Sequence, residues 1–191
     1  MSFYSSFLIG MSILFGISAQ MILLDIRIKD LKGTQSIFFL VGNLLVLMAN
    51  TALPLILPTS QYMKLYILTV HIPIFLVFWI STKIPAIKVI FAIFTAVFLI
   101  YPVNVALTLL LQSAKWLHPA MLYILAIAIG VVVLLIIHRF FKTNFNYLLK
   151  NYNEFSFIKL CLLPLAYYIA NYWLGMYNYA NVMSMEVIFQ R

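Results

Sequence analysis

Polar side chains stand inside long apolar stretches of the sequence, among them Asn43, Asn50, His71, Asn104 and Asn171. Polar groups in apolar surroundings are costly, so they are the first places to look for hydrogen bonding or ligand contact. Asn43 and Asn50 are seven residues apart, which places them on one side of a helix. Two roles stay open for this pair, hydrogen bonds to a neighbouring helix or the lining of a ligand site.

His71 is a titratable residue near a possible break in a helix, because Pro73 close to it can interrupt the helix. It can serve as an interior hydrogen-bonding group, or as a ligand or proton shuttle. His118 and His138 lie at the ends of other apolar stretches, without the spacing of a metal motif. The single Cys161 excludes an internal disulfide and a site with several cysteines, so no metal site is predicted.

Catalytic motifs are absent from the sequence. It contains no GxSxG elbow, no GxGxxG turn and no GxxxxGK[ST] phosphate loop. The middle parts of the apolar stretches also lack carboxylates, which argues against proton-coupled or cation-coupled transport. We therefore predict no catalytic residue and no cofactor within this sequence.

The composition indicates a protein covered by lipid. Of the 191 residues, 65% are hydrophobic and 8% are charged, whereas soluble domains average about 45–50% apolar and about 25% charged. The net charge of +8 could suggest nucleic acid, but the basic residues lie between the apolar stretches, as they do at the flanks of membrane helices. Membrane lipid is the predicted partner, and nucleic acid is not.

Six apolar stretches are long enough for transmembrane helices, each of which needs roughly 20 residues. They cover residues 3–24, 36–57, 65–80, 89–111, 117–138 and 160–176. The prediction is an all-α integral membrane protein, a single polytopic bundle of about six helices.

Basic residues in the loops predict the orientation of this bundle, because cytoplasmic loops carry an excess of lysine and arginine. The loops after the first, third and fifth stretches hold nine of them: Arg27, Lys29, Lys32, Lys83, Lys88, Arg139, Lys142, Lys150 and Lys159. The alternate loops hold only Lys64 and Lys115. The N-terminus and the end of the sixth helix are therefore predicted outside.

Two further segments carry expectations. Residues 139–156 combine basic and aromatic side chains, which suits a cytoplasmic amphipathic helix in the headgroup region or an ordinary interfacial linker. Residues 185–191 begin another apolar rise, which is either an external tail or the start of a further helix.

Aromatic residues lie near the predicted outer ends of the helices. Four of them are candidates for the wall of a ligand site: Tyr62, Trp116, Trp173 and Tyr177. The same residue types form the aromatic belt at a membrane interface, so belt and ligand wall both stay open.

Two segments resemble parts of a known family. Residues 83–99, KIPAIKVIFAIFTAVFL, and residues 139–174, with Pro164, Tyr167 and Tyr168, resemble the N-terminal membrane sensor regions of GHKL-type sensor histidine kinases of Gram-positive bacteria. The resemblance covers roughly a third of the chain and rests on apolar patterns.

This resemblance implies a sensor in the bacterial plasma membrane. Such a region detects an extracellular peptide or small molecule and signals, by helix rearrangement, to a kinase segment and a response regulator. A homodimer is expected in that case. No catalytic residue is carried over, because any kinase activity would lie beyond Arg191 or in a partner chain.

Two other functions stay open. Size and helix number also fit the six-helix substrate-binding subunit of a vitamin importer, although only six glycines are present for close helix packing. A non-enzymatic membrane assembly protein is the third possibility.

Overall fold

The computed structural model describes the backbone of residues 3–113 and 119–189, and the side chains within 6–58, 61–103, 105, 121 and 123–172. All secondary structure in these residues is helical, as the sequence predicts. The α-helices are α1 (Phe3–Leu23), α2 (Gly33–Ile56), α3 (Thr59–Tyr66), α4 (Ile72–Thr82), α5 (Ala86–Ser113), α6 (Pro119–Ile136), α7 (Lys142–Asn151) and α8 (Glu154–Phe189). A 3-10 turn covers Ile28–Asp30, and π-helical turns at Ile67–His71 and Ile137–Phe141 join α3 to α4 and α6 to α7.

Within the described residues, six helical segments are long and apolar enough to cross a membrane. They cover Ser6–Leu23, Gly33–Ile56, Gln61–Thr82, Ala86–Val103, Tyr123–Asn151 and Glu154–Tyr172. Their number and order match the six predicted stretches, and they are compatible with a multi-pass membrane protein.

Several helices extend past the predicted boundaries. The third segment begins before Lys64, and the fifth continues through a π-helical turn into α7. The predicted interfacial segment 139–156 is thus an extension of the fifth helix as far as Asn151, followed by a short break and the start of α8. Residues 185–189 continue α8.

Local backbone conformation ends two of these helices. Asp25, after α1, has a positive φ of 52°, and the N–H of Ile26 donates to the carbonyl of Met21 at 2.9 Å. This is a Schellman-type ending, for which aspartate is one of the few non-glycine residues tolerated. Lys83 ends α4 with a φ of 57°, and Pro85 follows it. Both ends turn the chain within a few residues.

The core lies around α1, which contacts α2, α5, α6 and α7. Ala19 and Leu23 on α1 are fully buried. Phe39 of α2 meets Phe78 of α4 edge to face, with ring centroids 5.0 Å apart. These contacts hold the first five helical segments together, and α8 packs mainly on α5.

Large apolar side chains cover the outside of the bundle. Ile56, Leu135 and Leu163 are 78%, 63% and 75% exposed. Soluble monomers rarely expose contiguous apolar surface on this scale. The outer surface is therefore compatible with lipid as its surroundings.

Candidate functional site

A group of hydrogen-bonded polar and aromatic residues joins three helical segments inside the bundle. We call it the polar junction and define it as Asn50 on α2, Tyr62 and Tyr66 on α3, His71 on the π-helical turn, and Tyr168 on α8. Asn50 and Tyr62 are fully buried. The junction is the candidate functional site.

Pro73 explains why a polar side chain is needed here. In an α-helix the carbonyl of Thr69 would accept from the N–H of residue 73, but proline has none. Asn50 Nδ2 supplies the missing donor, at 2.8 Å from the Thr69 carbonyl oxygen. A buried carbonyl without a donor costs free energy, so this contact stabilises the interruption in the third segment.

Both donor hydrogens of the Asn50 amide are used, and so is one lone pair of its oxygen. Its Nδ2 also donates to the carbonyl of Val46 at 2.8 Å, and its Oδ1 accepts from the Tyr62 hydroxyl at 3.2 Å. Two donors and one acceptor position are thereby matched. Asn50 therefore attaches α2 to α3 and to the π-helical turn itself.

The π-helical turn brings His71 into contact with two tyrosines. The N–H of Ile72 bonds to the carbonyl of Ile67, which is the wider spacing of a π-helix. The His71 ring meets Tyr66 and Tyr168 edge to face, each with centroids 5.2 Å apart. Turns of this kind occur frequently at functional sites.

His71 is bonded to the sixth segment. The hydroxyl oxygen of Tyr168 lies 2.7 Å from Nδ1 of His71. One turn further along α8, the Tyr172 hydroxyl donates to the carbonyl of Lys64 at 3.0 Å. Two tyrosines on one face of α8 thus attach it to the third segment on both sides of Tyr66.

Contacts with α5 complete the setting of Tyr168. Its ring lies 5.2 Å from that of Phe94, between centroids, and the ring of Tyr167 lies 4.7 Å from that of Phe98. Any movement of α8 at this level therefore changes its contacts with both α5 and the third segment.

The structure brings together only some of the residues singled out in the sequence. Asn50, His71 and Tyr62 meet in the junction. Asn43 and Asn171 instead donate to carbonyls of their own helices, those of Phe39 at 2.9 Å and Tyr167 at 3.0 Å.

Tyr62 is fully buried and donates to Asn50. The side chains of Asn104, Trp173 and Tyr177 lie outside the described residues, although their backbones belong to α5 and α8. Trp116 lies outside the described residues altogether.

Sequence reasoning missed Tyr66 and Tyr168 as members of the junction, and Thr69 as the residue whose carbonyl Asn50 binds. The missing donor at Pro73 is a signal that points to Thr69, because it leaves that carbonyl in need of a partner. Tyr168 has no such signal among twelve tyrosines.

The chemistry available at the junction is hydrogen bonding between neutral groups. Among the described residues, no group of three or more His, Cys, Asp or Glu side chains could hold a metal ion. Asn, Tyr and His form alternative hydrogen bonds readily, so such a junction can hold helices in more than one arrangement.

Comparison of the chain with protein-family models, with curated proteins and with solved structures found no match.

Proposed function

We propose that this chain is a multi-pass protein of the bacterial plasma membrane, with its N-terminus outside and its basic loops in the cytoplasm. The six apolar helical segments, their exposed apolar side chains and the distribution of basic residues support this placement. In this orientation the loop between α2 and α3 faces outside.

Within the membrane, we propose that the chain acts as a sensor module that converts an extracellular signal into a rearrangement of helices. The observation that carries this proposal is the polar junction, in which His71 on a π-helical turn is bonded to Tyr168 on α8. The resemblance to sensor regions of GHKL-type histidine kinases points to the same function.

The geometry suggests a path for the signal. A peptide or small molecule acting on the outer loop would displace α3, whose first turns carry Tyr62 and Lys64. Displacement of α3 changes the bonds of Asn50 and of Tyr172 together, because both meet the third segment there. The Tyr168–His71 bond then passes the movement to α8.

The two states of the sensor would be two positions of the third segment. In one the π-helical turn holds its extra residue, and in the other the turn is α-helical without it. A ligand shifts such an equilibrium only by its difference in affinity for the two states. The output would lie in a cytoplasmic kinase segment or partner chain, acting on a response regulator, with the sensor as a homodimer.

The coupling is tested by Tyr168→Phe, which removes the hydroxyl that bonds to His71. Spin labels at exposed Ile80 on α4 and Leu163 on α8, in a Cys161→Ala background, report the distance between the two helices in lipid nanodiscs. We expect Tyr168→Phe to shift or broaden this distance distribution. Tyr167→Phe is the matched control, because the Tyr167 ring contacts Phe98 without a hydroxyl bond among the described residues. Equal distributions for the two variants would contradict the coupling.

The sensor function itself is tested by purifying the chain with its partners from native membranes. We expect histidine kinase activity, measured as acid-labile phosphorylation by labelled ATP, to accompany the chain. Recovery of a pair of energising ATPases without kinase activity would overturn the sensor proposal in favour of a vitamin-importer subunit.

A further inference from the structure

A second group of polar residues lies at the opposite end of the bundle from the polar junction. The end of α1 and the second π-helical turn enclose a cleft of about 300 Å³. We call it the inner cleft, and its lining includes Met21, Ile22, Asp25, Arg27, His138 and Lys142. In the proposed orientation it opens at the cytoplasmic membrane surface.

The inner cleft carries more positive than negative charge. Asp25 Oδ1 and Lys142 Nζ form an ion pair at 2.8 Å. Arg27 and His138 are exposed and form no ion pair or hydrogen bond with any residue that the structure describes. Arg27 is therefore a positive charge without a direct ion-pair partner in the described part of the chain.

The carboxylate of Asp25 stays ionised in this setting. The hydrogen bond from Lys142 lowers the pKa of Asp25, and the charges of Lys142, Arg27 and Lys150 act in the same direction against partial burial. Asp25 therefore offsets part of the positive charge of the cleft, most directly that of Lys142, with which it forms the ion pair.

An apolar surface adjoins these charges. Met21 and Ile22 line the cleft itself. Leu135 and Val131, three and seven residues before His138 and so on its side of the helix, are 63% and 46% exposed. Cations beside an exposed apolar strip, at the level of the headgroups, are the arrangement that suits an anionic amphiphile.

We propose that the inner cleft binds the phosphate headgroup of an anionic phospholipid, with Arg27 as its main contact and Lys142 as a second one. The acyl chains would lie along the apolar strip. This inference rests on the membrane placement proposed above and not on the sensor function. A soluble phosphate shares the headgroup chemistry, but it would gain nothing from the apolar strip, which is why we assign the site to a lipid.

Asp25 has an opposing effect in this proposal. Its carboxylate repels a phosphate and occupies one side of Lys142. Removing its charge should therefore strengthen lipid binding, whereas a purely structural ion pair would give weaker binding when broken. The direction of this effect separates the two interpretations.

The test measures binding of phosphatidylglycerol and phosphatidylcholine with equal acyl chains to the purified full chain, by native mass spectrometry. We expect a preference for phosphatidylglycerol. Arg27→Gln should reduce its affinity about five-fold, the effect of one basic residue near a membrane surface, and Asp25→Asn should raise it. Lys29→Gln is the matched control, with the same change of charge in the same loop but outside the cleft, and should leave the affinity unchanged.

Three results would overturn the assignment. Equal losses of phosphatidylglycerol affinity for Arg27→Gln and Lys29→Gln would show that any nearby positive charge attracts the lipid. Weaker lipid binding by Asp25→Asn would show that the Asp25–Lys142 ion pair is purely structural. Glycerol phosphate binding as tightly as phosphatidylglycerol would show a site for a soluble anion. Alkaline carbonate extraction of vesicles tests the membrane placement separately, because a chain that does not span the membrane would be released. Circular dichroism checks that each variant is folded.

Discussion

Asn50 is the residue on which the polar junction depends most. It is fully buried, and its amide bonds to two carbonyls and one tyrosine hydroxyl. Interhelical hydrogen bonds in membranes contribute about 0.6 kcal/mol on average, but a buried group left without a partner costs about 1–3 kcal/mol. Removal of Asn50 leaves both the Thr69 carbonyl and the Tyr62 hydroxyl without this partner.

We expect Asn50→Leu to lower the free energy of unfolding by about 1–3 kcal/mol. Asn43→Leu is the control, because Asn43 lies on the same helix and donates only to a carbonyl of that helix. It should have a clearly smaller effect. Unfolding by SDS in mixed micelles measures both, and equal losses would contradict the role given to Asn50.

The ion pair of Asp25, at the end of α1, makes the free energy of unfolding depend on pH. Its pKa is lowered in the folded chain by the hydrogen bond from Lys142, so its contribution to stability is present above the unfolded pKa of about 3.9. That contribution is lost as the pH falls through the lower, folded pKa. Because Asp25 is 41% exposed, we expect its ion pair to contribute less than about 1 kcal/mol to the free energy of unfolding.

The free energy of unfolding, measured at neutral pH and at about pH 2, below the ordinary aspartate pKa of about 3.9, tests this contribution. Asp25→Asn should reduce the loss of stability on acidification. Asp30→Asn is the control, because no ion pair of Asp30 is present among the described residues. The same acid response in wild type and Asp25→Asn would refute the expectation.

At the scale of single residues, the sequence predicts which groups need partners but not which partners they find. Asn50 and His71 stand out because they are polar in apolar stretches. Tyr168 does not stand out, because its bond to His71 depends on how α8 is rotated about its axis and placed beside the third segment. That rotation is fixed by packing between distant segments, which periodicity does not reveal.

The helical elements follow closely from apolar stretches, and their ends follow less closely. Stretches without charges stop at Lys64 and Arg139, yet the helices continue past both. Backbone hydrogen bonding does not end at a charged residue, and long basic side chains can extend to the membrane surface from within a helix. The two π-helical turns have no signal in the apolar pattern.

Close packing of α6 against α1 depends on Gly130. A Cβ at this position would overlap the ring of Phe15. We expect Gly130→Ala to destabilise the chain by about 1–3 kcal/mol, as overpacking does, and Phe15→Leu in the same chain to restore part of the loss. Thermal unfolding in detergent measures both changes.

Gly16 provides the control for this prediction. It lies on α1, and a Cβ there would meet no atom within 4 Å. Gly16→Ala should therefore cause no loss of stability. A similar loss for both glycine variants would show that helix flexibility, and not contact with Phe15, accounts for the effect.

For the whole molecule, composition and loop charges predict six helices and an orientation, because both reflect the solvent that surrounds the chain. They do not predict that α1 lies in the centre or that α8 packs on α5, since apolar surfaces fit many partners. The proposed sensor function rests on the polar junction and on a resemblance that covers roughly a third of the chain.

The proposed signal path and the proposed lipid site in the inner cleft both depend on the membrane topology. Single cysteines at exposed Lys29, Gln61 and Asn153, in a Cys161→Ala background, can be labelled with a maleimide that does not cross membranes. We predict that intact cells label Gln61→Cys, and that Lys29→Cys and Asn153→Cys are labelled only after permeabilisation. Labelling of all three cysteines from the same side of the membrane would contradict the proposed topology. Labelling of Lys29→Cys and Asn153→Cys in intact cells would contradict it as well.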